Sequence, residues 1–242
     1  MSIININENK YKVTNSIDII RAFWVFDSSF LEYDLEEKID YSLEDDASIE
    51  KLIKVSRRIG TRASTKTLKE SLSGKNRRDI KECIDNIQTV ENINHYGHLE
   101  LVAIKDYAKW NEIKCNMVKA IRFMIRTENS GIKVSTATKI LHKLRPGIFP
   151  ILDVERIQKL YNQKLDNLKD IEKNLDKFLD IIWQNMNDST ALLNYIHDNI
   201  PNDVKLTRTR IFDILLWAKS SEDEIFNFRK KYDKSIPYYF FK

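Results

Sequence analysis

Asp153 stands where a helical pattern begins, a position that can hold an ionised carboxylate. The chain breaks at Arg145-Pro146-Gly147, runs through Ile148-Phe149-Pro150-Ile151-Leu152 and reaches Asp153, where a new helical pattern begins. Asp is a favoured helix N-cap because its carboxylate accepts bonds from free first-turn N–H groups. The positive end of the helix dipole also favours its ionised form. Arg210 and Asp213, three apart on a second helical stretch, are spaced to pair with each other. Cys83, His95, His98 and Cys115 supply the residue types of a zinc site, but only the two histidines are close in sequence. Structural zinc sites bring their cysteines in close pairs, so no metal is expected. A glycine-rich nucleotide loop, G-x-S-x-G and H-E-x-x-H are all absent, and no cofactor is expected.

The net charge of +4 conceals an uneven distribution. Residues 51–145 carry 21 Lys/Arg against 9 Asp/Glu, whereas the remainder carries 19 against 27. Within 51–81 the ratio is 11 to 2. Such one-sided charge is either a solvated helix face or a surface that meets a polyanion.

The elements that must position these groups read as helices. The chain has 242 residues, enough to bury a sizeable core, and its 42% hydrophobic and 31% charged residues suit a soluble globular protein. Only five glycines and four prolines leave few turns, which favours an all-α fold. Ile113, Met117, Ala120, Ile121 and Met124 form one buried helical stripe, and Leu168, Ile171, Leu175, Phe178, Leu179, Ile182 and Trp183 form another. Ile211, Ile214, Leu215 and Ala218 make a third. Strand alternation is weak and confined to Ile3–Ile6, and residues 72–98 read as rich in loops. The longest apolar runs, Ala22–Phe26 and Ile214–Ala218, have five residues. A membrane span needs roughly 20, so no membrane association is expected. The start of the chain lacks the pattern of a signal peptide, and two lone cysteines suit a reducing compartment, so a cytoplasmic location is expected.

The segment Ser130–Tyr161, SGIKVSTATKILHKLRPGIFPILDVERIQKLY, resembles the helix-hairpin-helix superfamily of base-excision DNA glycosylases. In that superfamily a glycine-rich hairpin precedes a helix, a proline and a catalytic aspartate that caps the next helix. Gly131 matches the first hairpin glycine, Ala137 the small packing residue, Pro150 the proline and Asp153 the catalytic acid. Lys133 stands where the second glycine is usual, Ser135 where strand-cleaving members carry a lysine nucleophile, and the proline-to-aspartate segment is one residue longer. Three pieces, KVSRRIGTRAS (54–64), TKILHKLRPGIFPILD (138–153) and LTRTRIFDILLW (206–217), are similar to an uncharacterised bacterial family of helix-hairpin-helix relatives. Phage-defence glycosylases that remove hypermodified cytosines also look related.

The resemblance implies a two-lobed, all-α helix-hairpin-helix fold over a single domain, 1–242. Residues 1–100 would form an N-terminal lobe carrying the basic stretch, 101–165 the hairpin core, and 166–242 the helices that complete the domain. It implies a monomer that excises a damaged or modified base from double-stranded DNA. A glycosylase flips its base from the stack and cleaves through an oxocarbenium-like sugar, which a carboxylate stabilises. Asp153 with Ser135 then implies base removal without strand cleavage, because a Schiff base needs an amine. For Asp153 the alternative is a plain cap. Arg57, Arg58, Arg62, Lys66, Arg77 and Arg78 are the expected phosphate contacts, with Gly131, Lys133 and Ser135 offering backbone N–H groups at a helix start; an ordinary turn is the alternative there. His95, Tyr96, Tyr107 and Trp110 are candidates to stack on the flipped base, although Tyr107 and Trp110 also fit a core. Phe23, Trp24 and Phe26 form a further aromatic cluster. The rival functions are a non-catalytic nucleic-acid-binding protein of the same fold and a helical protein-interaction domain.

Overall fold

The computed structural model describes residues 3–6, 9–13, 16–26, 28–35, 41–61, 63–91, 100–125, 132–165, 168–200 and 206–225. Its elements are predominantly helical, as the scarcity of turn residues predicts. A two-stranded antiparallel hairpin, β1 (Ile3–Ile6) and β2 (Asn9–Lys12), pairs Ile3 with Lys12 and Ile6 with Asn9. Then follow α1 (Ser16–Phe26), α2 (Ser28–Leu35), α3 (Asp46–Arg58), α4 (Thr65–Ser71) and α5 (Gly74–Glu91). A short 3-10 turn at Leu101–Ala103 leads to α6 (Tyr107–Ile125), α7 (Val134–Leu144) and α8 (Val154–Tyr161). The last elements are α9 (Leu168–Asp188), α10 (Thr190–Asn199) and α11 (Arg208–Ser220).

The stripes read from the sequence become buried faces; the burial of Leu168, first in the α9 stripe, lies outside what is described. Ile113, Met117, Ala120, Ile121 and Met124 are all within 1% of complete burial on α6, which packs against α5, α7 and α9. The first and last parts of the chain meet: β1 packs on α9, and α1 packs on α10 and α11. Asn5 N–H donates to Ser189 Oγ at 3.0 Å and fixes that junction.

One expectation is corrected. Most of the supposedly loop-rich region is α5, 18 residues long. Gly74 and Asn76 read as breakers, yet they start the helix, with Arg77 N–H donating to the Ser73 carbonyl at 3.1 Å. Ile80, Cys83, Ile84 and Ile87 recur at helical spacing and are buried against the neighbouring helices. Burial of that stripe outweighs the weak propensity of Gly and Asn at a helix start.

Helix starts follow local chemistry. Asp45, Ser64, Asp153 and Thr207 cap α3, α4, α8 and α11 with their side-chain oxygens. At the other end of α3, Gly60 adopts φ +75°, the left-handed conformation glycine tolerates best, and its N–H closes on the Arg57 carbonyl.

Candidate functional site

The segment joining α7 to α8 is anchored from both sides. Ile151 N–H donates to Asp213 Oδ2 on α11 at 2.9 Å, and Leu152 N–H donates to Thr138 Oγ1 on α7 at 3.0 Å. Upstream, Thr207 donates to the Pro146 carbonyl at 3.0 Å and Thr209 donates to the Gly147 carbonyl. The fully buried His142 ring lies 2.7 Å from the Phe149 carbonyl through Nδ1. Burial first, then the cations of Arg210 and Lys143, push the His142 pKa down to about 3. A neutral ring with Nδ1 protonated therefore donates to Phe149.

Asp153 emerges from this anchored segment. Its Oδ1 accepts from Arg156 N–H at a long 3.4 Å, and its Oδ2 lies 3.5 Å from Arg156 Nε. The carboxylate side chain keeps 45% exposure. It lines a cavity of about 120 Å³ among α1, α2, the end of α3, α7, α8 and α11. Phe23 and Phe30 stack there with centroids 4.4 Å apart, and Trp217 meets Phe23 edge-on at 4.9 Å. Among the described residues Lys139, Arg156, Arg210 and Asp213 are the other charged residues in its walls.

The charged walls are held by specific partners. Arg210 Nε donates to Asp34 Oδ1 at 2.8 Å, both side chains being nearly inaccessible, and Trp24 Nε1 donates to the second Asp34 oxygen at 2.9 Å. Burial opposes the charge on Arg210, but attraction to Asp34 more than offsets it and raises its pKa. The short bonds of the Arg210–Asp213 pair expected from sequence thus go to Asp34 and to Ile151. Arg156 stacks over the Trp217 ring at 5.4 Å and donates to the hydroxyls of Ser220 and Ser221. Lys139 Nζ donates to the Ile59 carbonyl at 2.5 Å.

Of the residues proposed from sequence, Asp153 lines the cavity, as does Phe23 of the N-terminal aromatic cluster. Trp110 is instead a core residue: it stacks on Trp183 at 5.4 Å and donates through Nε1 to Asp180 at 2.7 Å. Tyr107 is 57% exposed and leans on the same tryptophan. Lys133 is exposed as the cap residue of α7 and Ser135 is half-buried in its first turn; neither lines the cavity. Gly131, Arg62, His95, Tyr96 and His98 lie outside the described residues. Sequence reading missed Lys139, Arg156, Phe30 and Trp217. Lys139 was within reach, since it follows Ser135 by one helical turn.

The basic stretch divides into two sets. Arg77 is engaged by Asp46 at 2.8 Å and by the Leu43 carbonyl, Lys69 by Glu50 at 2.5 Å, and Lys81 by Glu44 and Asp85. Arg58 lies 3.7 Å from Glu32. Lys51, Lys54, Arg57, Lys66, Lys75 and Arg78 are exposed and have no ion-pair partner among the described residues. Cys83 is buried, with burial pushing its thiol up to about 11, and Cys115 is exposed. Among the described residues no group of three or more His, Cys, Asp or Glu is arranged to hold a metal. No described helix is long and apolar enough to cross a membrane.

The model of a family of unknown function, DUF6308, matches residues 98–220, just over half of the chain. The chain belongs to this family. The DUF6308 segment contains α6 to α11, and with them Lys139, Asp153, Arg156, Arg210, Asp213 and Trp217. The wall residues Phe23, Phe30 and Ile59 lie before it. Neither the curated proteins nor the solved structures contain a match.

Proposed function

We propose that this DUF6308 protein is a monofunctional DNA glycosylase that flips a damaged or modified base into the Asp153 cavity and leaves an abasic site. The observation that carries the reading is the placement of Asp153. A carboxylate predicted from sequence opens into an aromatic-walled cavity instead of being consumed by a tight cap. Its volume, about 120 Å³, is on the scale of a single ring, somewhat below that of a cavity of about 150 Å³ that accommodates benzene. Flipping costs a few kcal/mol, offset by stacking in the pocket and by phosphate contacts outside it.

In this mechanism Phe23, Phe30 and Trp217 supply the stacking surface. The Asp153 carboxylate stabilises positive charge as the C1′–N bond breaks and its electron pair leaves with the base; water then adds at C1′, and the proton it loses ends on the released base. The anchored backbone at Ile151 and Leu152 holds that carboxylate in place without reorganisation. The hairpin order of the sequence supports the same reading and extends it to a two-lobed helix-hairpin-helix domain acting as a monomer.

The test is direct. Duplexes carrying varied damaged or modified bases, including modified cytosines, are incubated with the protein, and abasic sites are then cleaved chemically. Strand breaks that appear only after the chemical step support the reading. Absence of release from every substrate contradicts it, as does a covalent complex trapped by borohydride, which would make Lys139 or another amine a nucleophile.

A further inference from the structure

The cations of α3 do not cover the surface evenly. Lys51, Lys54 and Arg57, with Lys69 of α4, line an open groove of about 680 Å³ between the two helices. Among the described residues Glu50 is the one carboxylate in its wall, and Lys69 binds it at 2.5 Å. Arg57 Nη1 is steadied by Thr65 Oγ1 at 2.6 Å, so the guanidinium is fixed across the groove. Spacings of three residues put Lys51, Lys54 and Arg57 along one side of α3. The same helix runs on to Ile59, whose side chain is part of the Asp153 cavity wall and whose carbonyl receives Lys139.

We infer that this groove binds the phosphodiester backbone of the strand that carries the target base, and binds it on one side of that base only. The inference rests on the glycosylase reading for the position of the base; the groove itself rests on charge and shape. Residues 51 to 59 of a helix span about 12 Å at 1.5 Å per residue. Each DNA strand advances about 3.4 Å per nucleotide along the axis. The cations therefore reach the first three or so phosphates on one flank of the base at the cavity. A strand fits this groove better than an acidic protein does, because three free cations line it within about 12 Å of helix from Ile59, which also lines the Asp153 cavity.

The probe is a duplex with one tetrahydrofuran abasic analogue, whose affinity is measured by fluorescence anisotropy across a salt series. Replacing Lys51, Lys54 and Arg57 together by Ala should reduce the slope of log K against log salt by about one unit per residue. A matched set on α9, the exposed Lys169, Lys173 and Lys177, should leave it unchanged. Neutral methylphosphonates at three positions on one flank of the analogue should weaken binding as strongly as the groove triple, and on the other flank should not. An unchanged slope in the groove triple, an equal loss in the α9 triple, equal loss from both flanks, or binding of acidic protein but not duplex each overturns the inference. Base release is scored separately in the wild-type protein. A groove triple that binds like wild type while release persists removes the groove alone; no release with the slope effect intact removes the glycosylase reading and keeps the polyanion groove.

Discussion

Two aspartates start helices in this molecule by the same rule and end in different surroundings. Asp45 closes on α3 tightly, accepting from Ser48 N–H at 2.8 Å and from the Ser48 hydroxyl at 2.7 Å. Those backbone and side-chain bonds hold its carboxyl below the usual range. Around it is open surface. Asp153 closes loosely on α8 at 3.4 Å and faces a cavity walled by aromatic rings and four other charged residues. The first carboxylate is committed to its helix. The second keeps bonding capacity in a place where a ligand fits, and its backbone is anchored at neighbours on both α7 and α11. A capping rule locates both residues, but only the surrounding volume separates a cap from a candidate catalyst.

The contrast is broken most severely by disturbing the wall behind Asp153. Arg210→Met leaves Asp34 buried and without its cation, which should cost about 3–5 kcal/mol of stability. Chemical denaturation should show a lower midpoint with an unchanged slope. Among the described residues no buried ion pair stands behind Asp45, so it has no counterpart of this change.

Acid provides a second separation. His142 is neutral in the folded chain with its pKa depressed to about 3, against about 6.5 when unfolded. The unfolded state therefore binds the extra proton first, and stability is complete above pH 6.5 and falls as pH drops from 6.5 toward 3. The loss attributable to this ring should approach about 1.4 kcal/mol per pH unit within that window. His142→Gln, which retains a donor toward the Phe149 carbonyl, should flatten the slope of midpoint against pH. A slope identical in wild type and variant would remove His142 from the support of the Asp153 segment.

Smaller effects test the caps themselves. Asp45→Ala should lower the melting midpoint, as loss of an N-cap does, whereas Asp45→Asn should change it far less because Asn caps as well as Asp. Thermal melts measure both. A loss at Asp45→Asn as large as at Asp45→Ala would mean that charge rather than capping holds α3.

Much of the scaffold was legible from spacing. The α6 and α9 stripes, the strand at Ile3–Ile6 and the break before Asp153 follow from local signals, periodicity and the placement of proline and glycine, whereas the partner strand Asn9–Lys12 carries no such signal. α5 was hidden by Gly74 and Asn76, whose helix start depends on burying Ile80, Ile84 and Ile87 against α6, a tertiary effect. The cavity was legible at Asp153 and Phe23, and at Arg210 and Asp213 only as a structural pair. Phe30, Lys139 and Trp217 come from three distant helices, and nothing in their local sequence marks their convergence. Trp110 shows the converse: an aromatic beside charged residues looks like a pocket in sequence, yet Trp183 and Asp180 fill the space beside it.

The central claim is that Asp153 acts by its charge within the cavity. Asp153→Asn retains a capping oxygen and nearly the same shape, and Asn caps as well as Asp does. Single-turnover base release should therefore be compared for wild type, Asp153→Asn and Asp45→Asn on whichever modified duplex the substrate survey identifies. The account predicts at least a hundredfold slower release in Asp153→Asn, about the loss from deleting one preorganised charge-stabilising group. Melting temperature and duplex affinity should be unchanged, and Asp45→Asn should release base at the wild-type rate. Wild-type release by Asp153→Asn would contradict the account and return Asp153 to the role of a cap.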